Sequence, residues 1–555
     1  MVKENFIKTI ESSIIENWSM VAFSDYGTSV SLKYQNVAQE IERIHILLER
    51  CGIKEDDKVA IMGRNNSSWV TTYLAIITYG AVVVPILQDF RPNDTLHILN
   101  HSESRLFFVT DVLYETLDID QMEHVEAVLS LASREPLSVR STFFTKEDIR
   151  PEVIDTLFFT KYPGGITPEK IHYAERDNYC TASINYTSGT TGFSKGVVTR
   201  LNALAGNVKF CIEHKAIYKG SRQVVFLPLA HAFGCAFDFL TSFCVGAHAY
   251  FLGKTPSPRV LLEAFKEVKP TCIFTVPLIL EKIYQKRILP FLKKSSVNLA
   301  LKLPLIDDVL IGKIREQLVD AFGGEFNEVI VGGAPMNADV EAFLKKIGFP
   351  YTVGYGMTEC APLITYSRWD EFREGSCGKV LEGLMEVKLA NVNKEGVGEL
   401  LVRGEHVMAC YYKNQEATNE VFTSDGWLKT GDLGYIDKDG YIFIKGRNKT
   451  MLLGPSGQNI YPEEIEAKLN NMPYVMESLV IEQDHNLVAL VCPDFETVDA
   501  ANMSKADLEA TMEENRKQVN SLLASYEQLS AIKLYPHEFE KTPKKSIKRY
   551  LYTQI

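Results

Sequence analysis

Between two apolar runs, Tyr186 to Val198 reads YTSGTTGFSKGVV, with three glycines, five Ser/Thr hydroxyls and one lysine. Glycine reaches positive φ without a Cβ clash, so successive N–H groups of such a loop can converge on an anion. Thr187, Ser188, Thr190 and Thr191 add hydroxyl donors, and Lys195 adds a compact charge suited to phosphate. The chemistry this asks for is the grip of a polyphosphate, above all a nucleotide. It is not the G-x-x-x-x-G-K-[ST] loop, because here Ser194 precedes the lysine and Gly196 follows it.

Five further stretches along the chain carry chemistry of the same kind. Gly332-Gly333-Ala334-Pro335 is a turn between an apolar run and Asn337-Ala-Asp. Tyr355-Gly356-Met357-Thr358-Glu359-Cys360 places a carboxylate, the ligand a hard cation needs, beside a hydroxyl and a ring. Trp427-Leu-Lys-Thr-Gly-Asp432 supplies an ionised acceptor suited to a diol, and Gly446-Arg447 follows it. His231-Ala-Phe-Gly-Cys-Ala-Phe sits in an apolar stretch, where a histidine is as readily a core residue as a catalyst. The tail, Lys541-Thr-Pro-Lys-Lys-Ser-Ile-Lys-Arg549, is strongly basic.

Together these motifs resemble, in order, those of the acyl-adenylate-forming enzymes: acyl-CoA synthetases, peptide-synthetase adenylation domains and firefly luciferase. The resemblance implies a phosphate loop of Thr187, Ser188, Gly189, Thr190, Thr191, Gly192 and Lys195. It implies that Gly333, Ala334, Pro335 and the Tyr355 ring lie along adenine, with Gly356 and Met357 in the same nucleotide-binding stretch. It places Thr358 on the α-phosphate, Glu359 on Mg²⁺ with Thr187 near the metal, Asp432 on ribose and Arg447 on ribose or phosphate. Lys449 matches a hinge, and Gly457-Gln-Asn-Ile-Tyr-Pro-Glu-Glu-Ile-Glu466 matches the stretch that follows it. His231 would lie between the phosphates and the carboxylate pocket, with Thr190, Lys195 and Glu359 acting in catalysis. The family also has a tail lysine bridging substrate carboxylate and α-phosphate. Here a gapless match puts Ser546 at that place, so Lys545 is the favoured candidate, with Lys548 and Lys544 nearby.

These side chains must be positioned by alternating helices and strands. Ser31 to Cys51 and Ser67 to Tyr79 have helical apolar spacing; Lys58–Met62, Ala81–Leu87 and Arg105–Val109 read as strands. Such alternation predicts βαβ units and a parallel sheet. Residues 111–180 are expected to be an irregular connection. Beyond the loop strand Thr181–Tyr186, alternation returns with Val224–Leu227, Ala247–Leu252, Thr271–Val276 and Glu328–Val331. Residues 380–444 read as shorter β elements, with Asp437–Gly440 a hairpin turn. After Arg447, Pro462 opens a helix, two short strands follow, and Ala506 to Gln528 reads as one long helix. The expected fold class is α/β. A large N-terminal adenylation domain, residues 1–445, has α/β subdomains and a β-rich subdomain; a small mobile α+β lid domain spans 446–555.

The 59 basic and 71 acidic residues, a net charge of −12, argue against a nucleic-acid partner. The ten cysteines form no C-x-x-C pair, so the composition suggests neither zinc nor thioredoxin-like chemistry. The polar N-terminus is not a secretory signal, and no apolar run reaches the ~18–20 residues that span a bilayer. The expectation is a cytoplasmic protein that meets any lipid surface peripherally. By resemblance to bacterial long-chain fatty acid–CoA ligases, it would be an AMP-forming ligase using fatty acid, ATP, Mg²⁺ and CoA. The stretch GRNNSSWVTTYLAIITYGAVVVPIL and the T-P-x-x-x-I-K-R ending carry that finer likeness. An acyl carrier protein as acceptor, an aryl or short-chain acid as substrate, and a nucleotide-binding pseudoenzyme are the alternatives.

Overall fold

In the computed structural model the described residues are 2–187, 194–292, 304–453, 459–483, 486–542 and 546–552. The element that organises the N-terminal half is a seven-stranded sheet. Its strand order is Pro136–Val139, Ala127–Ser130, Leu106–Val109, Lys58–Met62, Val82–Ile86, Thr181–Thr187, Lys195–Arg200. The interior pairings are parallel and the two edge pairings antiparallel. Val82–Ile86 is buried at every position, as expected of a parallel strand covered on both faces. The helix Ser67–Tyr79 is capped by the Asn66 side chain and ends at Gly80 in the left-handed conformation, the usual signature of a helix stop.

A second sheet pairs Arg222–Val225, His248–Phe251 and Val21–Asp25 in parallel, with Ser31–Lys33 antiparallel at its edge. A third joins Ile273–Thr275, Val329–Val331 and Tyr351–Val353 in parallel. The β-rich part is the antiparallel run Met385–Ala390, Gly398–Gly404, Leu428–Ile436, Ile442–Arg447. A smaller core beyond residue 450 unites Ile465, Leu469, Val480, Val491, Met512 and Val519. These belong to the sheet Val475–Gln483, Asn486–Pro493, Leu529–Leu534 and the helices Pro462–Leu469 and Lys505–Asn520. The architecture is therefore mixed α/β, with a large N-terminal domain and a C-terminal domain.

Three sequence expectations need correction. Residues 111–180 are not irregular throughout: they supply the strands Ala127–Ser130 and Pro136–Val139 and the helix Pro151–Lys161. Pro151 stands at the first turn of that helix, where its missing N–H costs nothing. The helix expected from Ser31 begins at Tyr34, because Ser31–Lys33 pairs with Val21–Asp25. The helix expected to reach Gln528 stops at Asn520. There the Asn520 side chain bonds both the N–H and the carbonyl of Leu529, at 2.8 and 2.9 Å, and folds the chain back into a strand.

After His231 the chain forms a π-helix, Gly234–Thr241, buried along its length. Thr241 Oγ1 donates to the Ala236 carbonyl five residues back at 2.7 Å. Within this helix Asp238 is 1% exposed, and neither of its carboxylate oxygens is hydrogen-bonded among the described residues.

Candidate active site

The phosphate-loop sequence is carried by an antiparallel hairpin. Tyr186 stands opposite Gly196 and Thr187 opposite Lys195, so residues 188–193 spring from two strands held in register. Ser188, Gly189, Thr190, Thr191 and Gly192 lie outside the described residues. Thr187 Oγ1 donates to the Lys195 carbonyl at 3.4 Å. On its other edge Lys195–Arg200 is stitched to residues 409–412. Val198 N–H donates to Cys410 O (3.0 Å), Ala409 N–H to Val198 O (2.9 Å) and Tyr412 N–H to Gly196 O (2.7 Å).

That stitching brings a tyrosine that the motifs did not single out. Tyr411 Oη donates to Glu359 Oε1 at 2.8 Å, and the Lys195 ammonium lies 5.1 Å from the centre of the Tyr411 ring. Burial, and next the Glu359 charge, push the Tyr411 phenol well above its ordinary range, so it stays a donor. Glu359 is fixed again through its backbone, whose carbonyl accepts from Met408 N–H at 2.8 Å. Tyr411 thus joins Lys195, from the loop hairpin, to Glu359, from a motif more than 160 residues later. Nothing in the type or spacing of Met408-Ala-Cys-Tyr-Tyr-Lys-Asn414 marks it; only the cross-strand pairing does.

The Tyr355–Cys360 stretch sits at a tight crossing of backbones. A Cβ on Gly356 would stand 2.2 Å from the Pro362 carbonyl oxygen, so only glycine fits. Thr358 is buried at the start of a single 3-10 turn that carries Glu359. Tyr355 Oη donates to Asp432 Oδ2 at 2.6 Å, and Arg447 Nε reaches Asp432 Oδ1 at 3.1 Å. Thr430 orients this aspartate from behind: its hydroxyl accepts from Asp432 N–H at 3.0 Å and donates to Leu400 O at 2.9 Å. Asp432 is 5% exposed. Burial raises its carboxyl above the usual range, while Arg447 and Tyr355 pull it back. A carboxylate offers about four acceptor directions, so two neighbours leave room for a diol.

Gly333, Ala334 and Pro335 form an exposed turn after Val329–Val331, and Asn337 caps the next helix, Ala338–Lys346, through Asp339 and Val340 N–H. Asn337 also hydrogen-bonds Asn471 of the C-terminal domain. His231 is half-buried; its N–H donates to Pro228 O at 3.0 Å, and Phe233 N–H reaches its Nδ1 at 3.3 Å. Beyond it, Phe233 and Phe237 pack against each other and against Phe274. Lys449 lies exposed in a turn after Ile442–Arg447, in which Thr450 and Met451 N–H donate to Arg447 O.

The tail is also a paired turn. Lys541 bridges Ile547, and Thr542 N–H donates to Ser546 O at 2.8 Å. Lys545 lies outside the described residues. Lys548 Nζ pairs with Glu540 at 3.3 Å, and Arg91, at the cap of the helix Pro92–Ser102, reaches the same carboxylate oxygen at 3.3 Å. Arg549 is paired with Glu466, the last residue of the G-x-N-I-x-P-x-E-I-E match.

These residues fit a magnesium ion that arrives with a nucleotide. Glu359 offers one carboxylate, next to the loop hairpin and Lys195. No group of three or more His, Cys, Asp or Glu residues able to cage a metal exists among the described residues. Mg²⁺ keeps waters and takes one or two carboxylates plus phosphates, which suits a site of this kind.

The description of an AMP-binding enzyme family matches residues 16–412, most of the chain. The chain belongs to that family. Similar proteins include the long-chain-fatty-acid–CoA ligase FadD15 of Mycobacterium bovis, 28% identical over 94% of this chain and 90% of its own length. The putative acyl-CoA synthetase YngI of Bacillus subtilis is 30% identical over 78% of this chain and 77% of its own. Among solved structures, the Bacillus subtilis O-succinylbenzoate–CoA synthetase in complex with ATP and magnesium shares the fold, with a TM-score of 0.74 at 19% identity. That likeness covers 99% of both chains. No described helix is long and apolar enough to cross a membrane.

Proposed function

We propose that this AMP-binding enzyme is a fatty acid–CoA ligase that works through an acyl-adenylate. The observation that carries the reading is a pair of contact sets, Lys195–Tyr411–Glu359 and Tyr355–Asp432–Arg447, with Glu359 near enough to Asp432 and Arg447 to act on both through its charge. One cation, one metal-suited carboxylate and one diol acceptor are what Mg–ATP presents partners for. The acid is read as a fatty acid from the names of similar proteins and from the Phe233–Phe237–Phe274 cluster beside His231.

In the first step a carboxylate oxygen attacks the α-phosphorus and the bond to the β-phosphate breaks. Pyrophosphate leaves, and acyl-AMP remains. Two anions must meet, so catalysis is positioning and charge neutralisation. Lys195 faces the leaving pyrophosphate as a charge, not as a nucleophile. Asp432, oriented by Thr430 and Arg447, accepts from the ribose hydroxyls. Glu359, held by Tyr411, would carry Mg²⁺, which when bound neutralises the phosphates. Lys545, or Lys548 once released from Glu540, would meet the α-phosphate from the other side. In the second step the CoA sulfur attacks the acyl carbon, the C–O bond to AMP breaks, and the thiol proton passes to solvent. Rotation of the C-terminal domain, residues 446–555, about Lys449 would exchange the tail lysine for the thiol site.

The test is pyrophosphate exchange into ATP with palmitate, benzoate or acetate, followed by thioester formation with CoA or with an acyl carrier protein. Palmitate-dependent exchange and CoA thioester support the reading. Exchange with benzoate or acetate only, or transfer to carrier protein only, replaces it; absence of exchange with every acid makes the chain a nucleotide-binding pseudoenzyme.

A further inference from the structure

Outside the residues assigned above, one side-chain cluster touches both strands of the phosphate-loop hairpin. His101, near the end of the helix Pro92–Ser102, has its Nδ1 2.7 Å from Tyr186 Oη. Tyr186 is the last residue before Thr187 on the incoming strand and is 5% exposed. The same imidazole meets the Tyr412 ring edge-on at 5.7 Å, and Tyr412 N–H is bonded to Gly196 O on the outgoing strand. Tyr186 also lies across Gly196: a Cβ there would stand 3.1 Å from the phenol ring and 2.9 Å from Ile184. His97 stacks on His101, with the ring centres 5.6 Å apart. Lys413 pairs with Glu103 at 2.7 Å beside it, and Lys58 lies 5.9 Å from the Tyr412 ring.

We propose that His101 is a positioning residue for the nucleotide grip, tying the incoming strand through Tyr186 and the outgoing strand through Tyr412, and so fixing the spacing of Thr187 and Lys195 at the ends of those strands. The physical case is one of pre-organisation. Strands that must be brought into place when a ligand binds cost affinity, and strands already held there do not. Holding the strands that carry Thr187 and Lys195 in register lowers that cost without touching the ligand. A buried tyrosine hydroxyl needs a partner. Burial, with His97 and Lys413 beside it, favours the neutral imidazole, whose Nδ1 can accept that proton. Glu103 opposes this, but it is itself neutralised by Lys413.

This inference rests on the ATP reading above, and the test separates the two. ATP affinity is measured by calorimetry on the full chain for wild type, Tyr186→Phe, His101→Phe, the double variant and His101→Asn, with exchange kinetics in parallel and thermal unfolding as the control for folding. The expected result is a three- to tenfold weaker ATP affinity and higher ATP KM for each single variant, the range one net hydrogen bond provides. The kcat and the acid KM stay within about twofold in that reading of differential binding. The double variant is expected to be no worse than the singles, because both remove one interaction. His101→Asn, whose Oδ1 can stand near the Nδ1 position and accept from the tyrosine, restores most of the affinity. Wild-type ATP binding with unchanged affinity in Tyr186→Phe and His101→Phe overturns the clamp alone. Additive losses, or loss of kcat with unchanged KM, also overturn it. A wild type that binds no ATP overturns both the clamp and the proposed function.

Discussion

Tyr411 holds one oxygen of Glu359, and the consequence is an asymmetric carboxylate with its other oxygen left for a ligand. Removing the hydroxyl keeps the ring beside Lys195 but loses the orientation. Tyr411→Phe is expected to cost about tenfold in exchange rate at limiting Mg²⁺ and to move the Mg²⁺ dependence to higher concentration, as loss of an outer partner of a metal ligand does. Glu359→Gln is expected to cost about a hundredfold or more, the scale of removing one electrostatic partner of a transition state. A Glu359→Gln enzyme with wild-type Mg²⁺ dependence would refute its metal role. Much of this was legible in the sequence because glycines, hydroxyls and carboxylates at fixed offsets are local signals. Tyr411 was not, since its place depends on pairing across more than 200 residues with Lys195–Arg200.

At the scale of elements, the π-helix Gly234–Thr241 carries a contradiction in Asp238, a carboxyl with no hydrogen-bond partner among the described residues. Burial pushes its pKa well above the ordinary carboxyl range. The folded state therefore keeps a proton that the unfolded chain gives up near pH 4, and stability falls as pH rises from there towards the raised value. Asp238→Leu is expected to raise stability by about 1–3 kcal/mol, the cost of an unsatisfied buried polar group. The gain in thermal midpoint should be larger at pH 8 than at pH 5; an equal gain at both would show that Asp238 does not titrate in this way. The strands and helices around it were readable where apolar runs were long and bounded by glycine or an asparagine cap, as at Ser67–Tyr79. They were unreadable where four-residue strands such as Ala127–Ser130 take their identity from neighbours in the sheet. The end of the helix Lys505–Asn520 escaped for a related reason: its stop is a side chain bonded to a strand nine residues on.

Across the whole molecule, acid should act in the opposite sense to Asp238. His45 is largely but not fully buried, against Ala75 O and Thr78, and this burial holds its pKa down at about 4. The unfolded chain takes up that proton near pH 6.5, so stability present at neutral pH is lost as pH falls from about 6.5 to 4. The shift corresponds to about 3 kcal/mol at ~1.4 kcal/mol per unit. The wild-type thermal midpoint is expected to drop over that interval and His45→Gln to flatten the drop; a slope unchanged in the variant refutes the assignment. The two-domain plan invites a separate test. Lys449→Pro should depress thioester formation more than exchange, and single alanines at Lys544, Lys545 and Lys548 should identify the tail lysine by loss of exchange. Equal effects of Lys449→Pro on both steps would remove the hinge from the proposal.

Glu540 is shared by Arg91 of the large domain and Lys548 of the tail, with Arg91 71% and Glu540 54% exposed. An exposed ion pair of this kind contributes at most about 1 kcal/mol, and its reach is screened beyond ~8 Å at physiological ionic strength. Such a contact is a clasp that releases at little cost. Ionic strength then becomes an external dial on how often the tail lets go of the large domain: dilute buffer should lengthen each engagement and high salt shorten it, with the phosphate-loop hairpin untouched in either case.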